Sequence, residues 1–106
     1  MIYGYVRDSL GIEQHIEKQK KMIGDVDIII VDTDKSKLRD LLENVVKTGD
    51  KIYVSDLNRV TRKVDESIRL YEYLSKKGVE LYINGEKFKM PSDRIVELLM
   101  AIKEND

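Results

Sequence analysis

The chain has 106 residues, 42% of them hydrophobic and 37% charged, so it is apolar enough to build the core of one ordinary domain. Its 19 basic and 20 acidic residues exclude a surface that binds nucleic acid through a general excess of positive charge. The absence of cysteine excludes disulfides and thiolate metal sites.

The first half of the chain predicts two strands and two helices in alternation. Residues 2–6 predict a short strand, and residues 12–23 predict a helix with a sparse apolar stripe. The run VDIIIV is short, apolar and β-branched, which is typical of a strand buried on both faces of a parallel sheet. Residues 36–48 predict an amphipathic helix, with Ser36 as its N-cap and Gly49 just past its end.

The second half repeats this alternation. Residues 52–55 predict a strand, and a helix is predicted from residue 64 or 65 to Gly78, followed by a strand at 79–83. The segment NGEKFKM predicts a loop or short hairpin, and Pro91 opens a final helix. The order predicts an α/β fold, with a largely parallel sheet of four to five strands flanked by helices. With no internal repeat and no linker, residues 1–106 are predicted to form a single domain.

The N-terminal segment MIYGYVRDS lacks a charged region followed by an apolar run, so no signal peptide is predicted. No stretch of about 18 apolar residues occurs, and this predicts no membrane span. We therefore expect a cytoplasmic location.

Polar side chains that could carry chemistry follow three of the predicted strands. They are Arg7 and Ser9 after the first strand, Asp32 and Lys35 after the second, and Asn58, Arg59 and Arg62 after the third. The carboxyl ends of parallel strands meet at one edge of a sheet, where ligands bind in such folds. We therefore expect these residues to lie along one edge.

Two arginines of this set point to a phosphate ligand. Arg59 and Arg62 are three residues apart, a spacing that places both guanidinium groups on one face of a helical turn. Each guanidinium can hydrogen-bond a phosphate or phosphodiester through two donors. If Arg7 and Ser9 meet this pair, the set predicts phosphoryl transfer through a serine nucleophile.

Simpler interpretations of the same residues stay open. Ser9 could cap the first helix, and Tyr5 could be a core residue. The single histidine, His15, lies in a strongly charged stretch and is predicted to be on the surface. The arginines could form surface ion pairs with nearby acids, namely Asp56, Asp65 or Glu66.

Taken together, these motifs resemble the catalytic domain of the serine recombinases, the resolvase and invertase family of site-specific DNA recombinases. The opening YGYVRDS is similar to the family's Y-x-R-x-S segment, with Tyr5, Arg7 and the nucleophile Ser9 in place. The segment VKTGDKIYVSDLNRVTR resembles the family's turn, strand and L-D-R-L-x-R motif, and places Arg59 and Arg62.

The resemblance covers essentially the whole chain. Gln14 and Gln19 are similar to polar positions of the family's first helix, with one residue inserted. ESIRLYEYLSKKGVELYI resembles the helix and strand that follow the arginines. Residues 91–106 resemble the start of the long helix through which family members dimerise.

The resemblance implies a resolvase-like catalytic domain that acts on DNA. In the family, the serine attacks a phosphodiester, a phosphoserine link forms, and the other strand end leaves as a free hydroxyl. This link retains the bond energy, so rejoining requires no nucleotide cofactor and no metal. The family also implies a homo-oligomer, a dimer that becomes a tetramer during strand exchange, and a DNA-binding domain that lies C-terminal to and outside residues 1–106.

Three positions depart from the family pattern. Asn58 stands where the family has an acid, and an amide cannot carry a proton in acid–base catalysis. Leu10 stands where a small hydroxylic residue is usual. The family's arginine at the start of the second helix falls on Ser36, and Lys35 or Arg39 could supply that charge instead.

A fourth departure is that the final helix stops at Asp106, about where the family continues to a Glu-Arg pair and a DNA-binding domain. Asn58, the unmatched arginine at Lys35–Arg39 and this missing tail favour an alternative function, a recombinase-like module that does not cleave DNA and acts as an oligomerisation or regulatory partner. A third interpretation is an unrelated α/β protein that binds phosphate or a nucleotide. The sequence has no glycine-rich phosphate loop, which counts against this third interpretation.

Overall fold

Five strands and three helices alternate along residues 1–89, the part of the chain that the computed structural model describes. The strands are β1 (Ile2–Arg7), β2 (Ile28–Asp32), β3 (Lys51–Val54), β4 (Glu80–Ile83) and β5 (Glu86–Lys87). The helices are α1 (Glu13–Ile23), α2 (Ser36–Asp40) and α3 (Val64–Lys77). A π-helical turn at Leu41–Val45 extends α2, and a 3₁₀ turn at Leu57–Arg59 follows β3.

The strands form one sheet in the order β2-β1-β3-β4-β5. The first four strands are parallel, and β5 pairs antiparallel with β4. The predicted α/β fold with a largely parallel sheet is therefore confirmed. Because β1 lies between β2 and β3, its carboxyl end is next to the ends of both neighbours, with Arg7 in register with Asp32.

The main core lies on the sheet face that carries Tyr3 and Tyr5, where α2 and α3 pack. Alternating residues of β1, β3 and β4 meet apolar residues from these helices there. The buried members are Tyr3, Tyr5, Leu38, Leu41, Val46, Ile52, Val54, Val60, Leu74, Val79 and Leu81. The apolar stripe that predicted the second helix supplies Leu38, Leu41 and Val46 of this set.

Helix α1 packs against the opposite face of β1. A side chain at Gly4 would place its Cβ 2.7 Å from Cδ1 of Ile29 and 3.4 Å from Cγ2 of Ile23. Gly4 therefore permits the close approach of α1 and β2 to the centre of the sheet.

Strand β2 is not buried on both faces, so that prediction was wrong. Ile28 is 42% exposed and Ile29 37% exposed. The cause is topological, because β2 is at the edge of the described sheet and pairs with β1 alone. An apolar, β-branched run indicates a strand but does not distinguish a central position from an edge position.

The second helix is shorter than the predicted range of 36–48. Its helical backbone ends at Val45, and Val46 is extended, with φ −70° and ψ 143°. Val46 still reaches the core, so its apolar spacing was correct although its conformation was not helical.

Ser36 is not the N-cap of α2, which corrects a second local prediction. Its hydroxyl donates to Oδ1 of Asp34 at 2.6 Å, and the cap position is Lys35, in the left-handed region with φ 71°. The carboxylate of Asp32 accepts the N–H groups of Lys37 and Leu38 instead, at 3.1 and 3.2 Å. A residue at the end of β2 thus satisfies the free donors at the start of the helix.

The remaining predicted elements agree with the structure. Helix α3 ends at Gly78, which adopts a left-handed conformation with φ 75°. A turn at Asn84 and Gly85 joins β4 to β5, so of the predicted loop or short hairpin the structure has the hairpin. The predicted final helix and its role in dimerisation, at 91–106, lie outside the described residues. No helix within residues 1–89 is long and apolar enough to cross a bilayer.

Candidate active site

Tyr5 and Asp32 join the carboxyl ends of β1 and β2 through a buried hydrogen bond. The hydroxyl of Tyr5 donates to Oδ2 of Asp32 at 2.9 Å. Burial, together with the nearby Asp32 carboxylate, raises the pKa of Tyr5 well above its ordinary value. Tyr5 is therefore a neutral hydrogen-bond donor throughout the physiological range, and it fixes the carboxylate that caps α2.

Gln19 of α1 holds the backbone of Arg7 at both of its polar groups. The N–H of Arg7 donates to Oε1 of Gln19 at 3.0 Å, and Nε2 of Gln19 donates to the carbonyl of Arg7 at 2.9 Å. Gln19 is 2% exposed, so both bonds are protected from water. Helix α1 is thereby attached to the end of β1, two residues before Ser9.

Arg7 and Arg59 are connected by reciprocal hydrogen bonds. Nε and Nη2 of Arg7 donate to the carbonyls of Arg59 and Asn58, both at 3.1 Å. Nη1 of Arg59 donates to the carbonyl of Arg7 at 3.1 Å. The two guanidinium groups therefore fix the 3₁₀ turn after β3 against the end of β1, and two of the predicted arginines converge.

Arg59 also forms an ion pair with Asp56. Its Nε donates to Oδ2 of Asp56 at 3.1 Å, and the same oxygen accepts the hydroxyl of Ser55 at 2.9 Å. The pairing with Asp56 that the surface interpretation predicted is thus present. It occurs together with the contact to Arg7, so Arg59 is held on two sides while its side chain stays 31% exposed.

Ser9 lies in an exposed turn between β1 and α1. The interpretation of Ser9 as a helix cap is wrong, because α1 begins at Glu13 and its N-cap position is Ile12, without a side-chain cap. In the turn before it, Oδ2 of Asp8 accepts the N–H of Ile12 at 2.9 Å. Oδ1 of Asp8 contacts Nδ1 of His15 at 2.9 Å. The Ile12 N–H, followed by the hydrogen bond to His15, lowers the pKa of Asp8, which is therefore ionised at neutral pH.

Several predicted site residues do not take part in the hydrogen bonds that connect Arg7, Arg59 and Asp56, or do so only through the backbone. Arg62 and Gln14 are exposed, and within residues 1–89 no hydrogen bond joins Arg62 to Arg7 or Arg59. Asn58 takes part through its backbone carbonyl alone. Lys35 and Arg39 line a separate cavity of about 440 Å³ between α2 and α3.

A second cavity, of about 550 Å³, lies where α1 meets the ends of β1 and β3. It is lined by polar residues from all three regions, mainly Asp8, His15, Lys18, Gln19, Asp56 and Arg59. Asp8, Asp56 and His15 were not predicted as site residues. The one feature of the sequence that could have indicated a site role for them is the position of Asp8 between Arg7 and Ser9. Within the described chain, no cluster of three or more His, Asp or Glu side chains could hold a metal ion.

A family model described as Resolvase, N terminal domain, matches residues 2–105. Comparison with curated proteins finds no match. The family match extends over every candidate site residue from Tyr5 to Arg62.

Proposed function

The chain belongs to the resolvase N-terminal domain family, and on that basis we propose that it cleaves and rejoins DNA through a phosphoserine link on Ser9. The reciprocal bonding of Arg7 and Arg59 is the observation that carries this proposal, because Arg7 is two residues before Ser9 in the chain. It brings two permanent positive charges to the strand ends where the family resemblance puts the phosphate.

The two arginines have different roles in this proposal. Arg7 is 8% exposed, so it acts mainly by holding the turn that carries Arg59. Arg59 uses Nε and Nη1 for Asp56 and Arg7, so Nη2 can donate to a phosphate oxygen. Arg62, which is exposed, adds a third guanidinium when DNA is bound. These fixed donors stabilise the negative charge that develops on the phosphate in the transition state.

The proposed reaction conserves the energy of the phosphodiester bond. Oγ of Ser9 forms a bond to phosphorus, and the bond from phosphorus to one strand end breaks, which releases that end as a free hydroxyl. The serine proton is lost as the leaving oxygen gains one. In rejoining, a hydroxyl end attacks the phosphoserine and Ser9 regains its proton, so no nucleotide cofactor and no metal is required.

The proposal assigns DNA as the substrate and a second copy of the chain as the first partner. Strand exchange joins ends that come from two sites, so two dimers form a tetramer during the reaction. With a net charge of −1, the domain must bind DNA through local contacts at the site or through another domain or partner. Residues 91–106 are the proposed dimerisation segment.

A second candidate function is a module of the same family that binds partners without cleaving DNA. Asn58 favours it, because the side-chain amide of Asn58 replaces the family's acid. The backbone carbonyl of Asn58 already accepts a hydrogen bond from Arg7. Under this alternative, the chain forms a stable oligomer but no covalent link to DNA.

Covalent trapping on DNA tests the two functions against each other. The whole chain, joined at its C-terminus to a DNA-binding module of known site, is incubated with a duplex nicked between two such sites. On a denaturing gel we expect a protein–DNA adduct that is lost in Ser9→Ala and kept in Ser75→Ala, an exposed serine of α3. Stable binding without an adduct would refute cleavage. An adduct that then forms in Asn58→Asp would identify Asn58 as the cause.

A further inference from the structure

Asp8 and His15 form a hydrogen-bonded pair that the family motifs do not specify. Ser9 follows Asp8 directly in the chain, within the turn that Asp8 closes by accepting the N–H of Ile12. His15 comes from the first turn of α1, and its Nδ1 is 2.9 Å from Oδ1 of Asp8. The pair therefore connects the segment that carries Ser9 to the helix that follows it.

The charge of Asp8 determines which nitrogen of His15 is free. An ionised carboxylate accepts hydrogen bonds and donates none, so Nδ1 of His15 carries the proton of the shared bond. In the neutral imidazole this leaves Nε2 as a proton acceptor. The same division of roles orients the histidine in a serine–histidine–aspartate triad.

The cavity beside α1 brings this histidine to the arginine site. His15 and Arg59 line the same cavity of about 550 Å³, with Asp8, Lys18 and Asp56 as the other charged residues around it. The His15 side chain is 55% exposed and Asp8 is 12% exposed. The imidazole is therefore accessible to a substrate, whereas the carboxylate that orients it is largely protected.

We propose that His15, oriented by Asp8, accepts the proton of Ser9 during strand cleavage. This inference rests on the proposed function of Ser9 as the nucleophile. As the bond from Oγ to phosphorus forms, the proton moves to Nε2 of His15 while the bond to the leaving strand end breaks. The imidazolium then gives this proton to the leaving oxygen, and rejoining reverses both transfers.

Asp8 is a positioning residue in this scheme, and the pair supplies the proton transfer that Asn58 cannot. An amide does not change its protonation state at neutral pH, whereas an imidazole both accepts and returns a proton. A positioned base of this kind contributes on the order of 10²–10⁴ to a rate. Loss of the imidazole should therefore lower the rate of adduct formation without any change in DNA binding.

The test measures the rate of adduct formation on the nicked duplex as a function of pH. We expect His15→Ala to be at least about 100-fold slower than the wild type and to differ from it in how the rate depends on pH. Free imidazole added to His15→Ala should restore part of the rate. Asp8→Asn should be slower as well, with an altered pH profile. Glu17→Gln, an exposed change two residues along α1, should match the wild type.

Each other outcome decides against the proposal. If His15→Ala and His15→Gln retain the wild-type rate and pH profile while Ser9→Ala forms no adduct, the role of His15 is refuted and cleavage through Ser9 stands. A slower His15→Ala with an unchanged pH profile and no response to imidazole would show a structural role. If the wild type forms no adduct, both the proposed function and the role of His15 fall.

Discussion

Replacement of Tyr5 by Phe should remove one buried hydrogen bond while the ring keeps its place in the core. The side chain is fully buried, and its hydroxyl donates to Asp32 at 2.9 Å. A hydrogen bond to a charged group contributes roughly 1.5–3 kcal/mol. Asp32 keeps three backbone donors, from Thr33, Lys37 and Leu38, so it is not left unpaired. We therefore expect a loss at the lower end, about 1.5–2 kcal/mol of unfolding free energy.

Urea unfolding of the whole chain, followed by circular dichroism, measures this loss as a lower midpoint at an unchanged slope. Tyr3→Phe is the matched control, because Tyr3 is 7% exposed on the same strand and its hydroxyl makes no hydrogen bond within the described part of the chain. We expect Tyr3→Phe to stay within about 0.5 kcal/mol of the wild type. Equal losses in the two variants, or none in Tyr5→Phe, would refute the reasoning.

Tyr5→Phe should also change how the free energy of unfolding depends on pH in the alkaline range. Burial and Asp32 raise the pKa of Tyr5 in the folded protein. The folded state therefore keeps the hydroxyl proton of Tyr5 at about pH 10, where the unfolded chain loses it. The stability from this bond is complete below that pH and declines as the pH rises above it. The difference between wild type and Tyr5→Phe should therefore narrow above about pH 10, and a constant difference would contradict this assignment.

Three further predictions concern the attachment of α1, a turn and the phosphate site. Gln19→Leu should lower the unfolding free energy by about 2–4 kcal/mol in urea unfolding, because it removes both buried bonds to the backbone of Arg7. Gly78→Ala should lower it by about 1–3 kcal/mol in the same assay, since its φ is +75° and a Cβ would lie 2.7 Å from Thr48. Arg59→Ala should slow adduct formation by about 10²–10³ in the trapping assay, because it removes the partly exposed guanidinium proposed to bind phosphate.

Matched controls separate each of these effects from a general loss of structure. Gln14→Leu changes an exposed glutamine of the same helix and should have little effect on stability. Gly49→Ala carries the strain of φ +93° without a close neighbour, so it should be milder than the change at residue 78. Arg69→Ala removes an exposed arginine of α3 and should leave adduct formation unchanged. A control as severe as its partner would refute the corresponding assignment.

The order of strands and helices could be predicted from the sequence because hydrophobic spacing is a local signal. The apolar positions that predicted the second helix did reach the core, even where Val46 had left the helix. The edge position of β2 could not be predicted in this way, because it depends on which strands pair. The cap of α2 was missed for a related reason, since Asp32 at the end of β2 performs the role assigned to Ser36.

The convergence of Arg7 and Arg59 could be predicted from the rule that parallel strands end at one edge. The form of their contact could not, because each guanidinium bonds to a backbone carbonyl whose direction is set only in the folded turn. His15 was correctly placed on the surface, but its bond to Asp8 was not predicted. Asp8 precedes the helix that contains His15, so the two residues do not share one regular element and no periodicity within an element relates them.

The central position of β1 has a consequence for the order in which the protein is made. Both strands that pair with it, β2 and β3, are synthesised after it. The contact of Gln19 with Arg7 can form as soon as β1, α1 and β2 have emerged, whereas the contact with Arg59 must wait until the chain has passed β3. We expect a nascent chain that stalls between these points to contain β1, α1 and β2 without the contact between Arg7 and Arg59, so that the proposed phosphate site forms only after residue 59 has been synthesised.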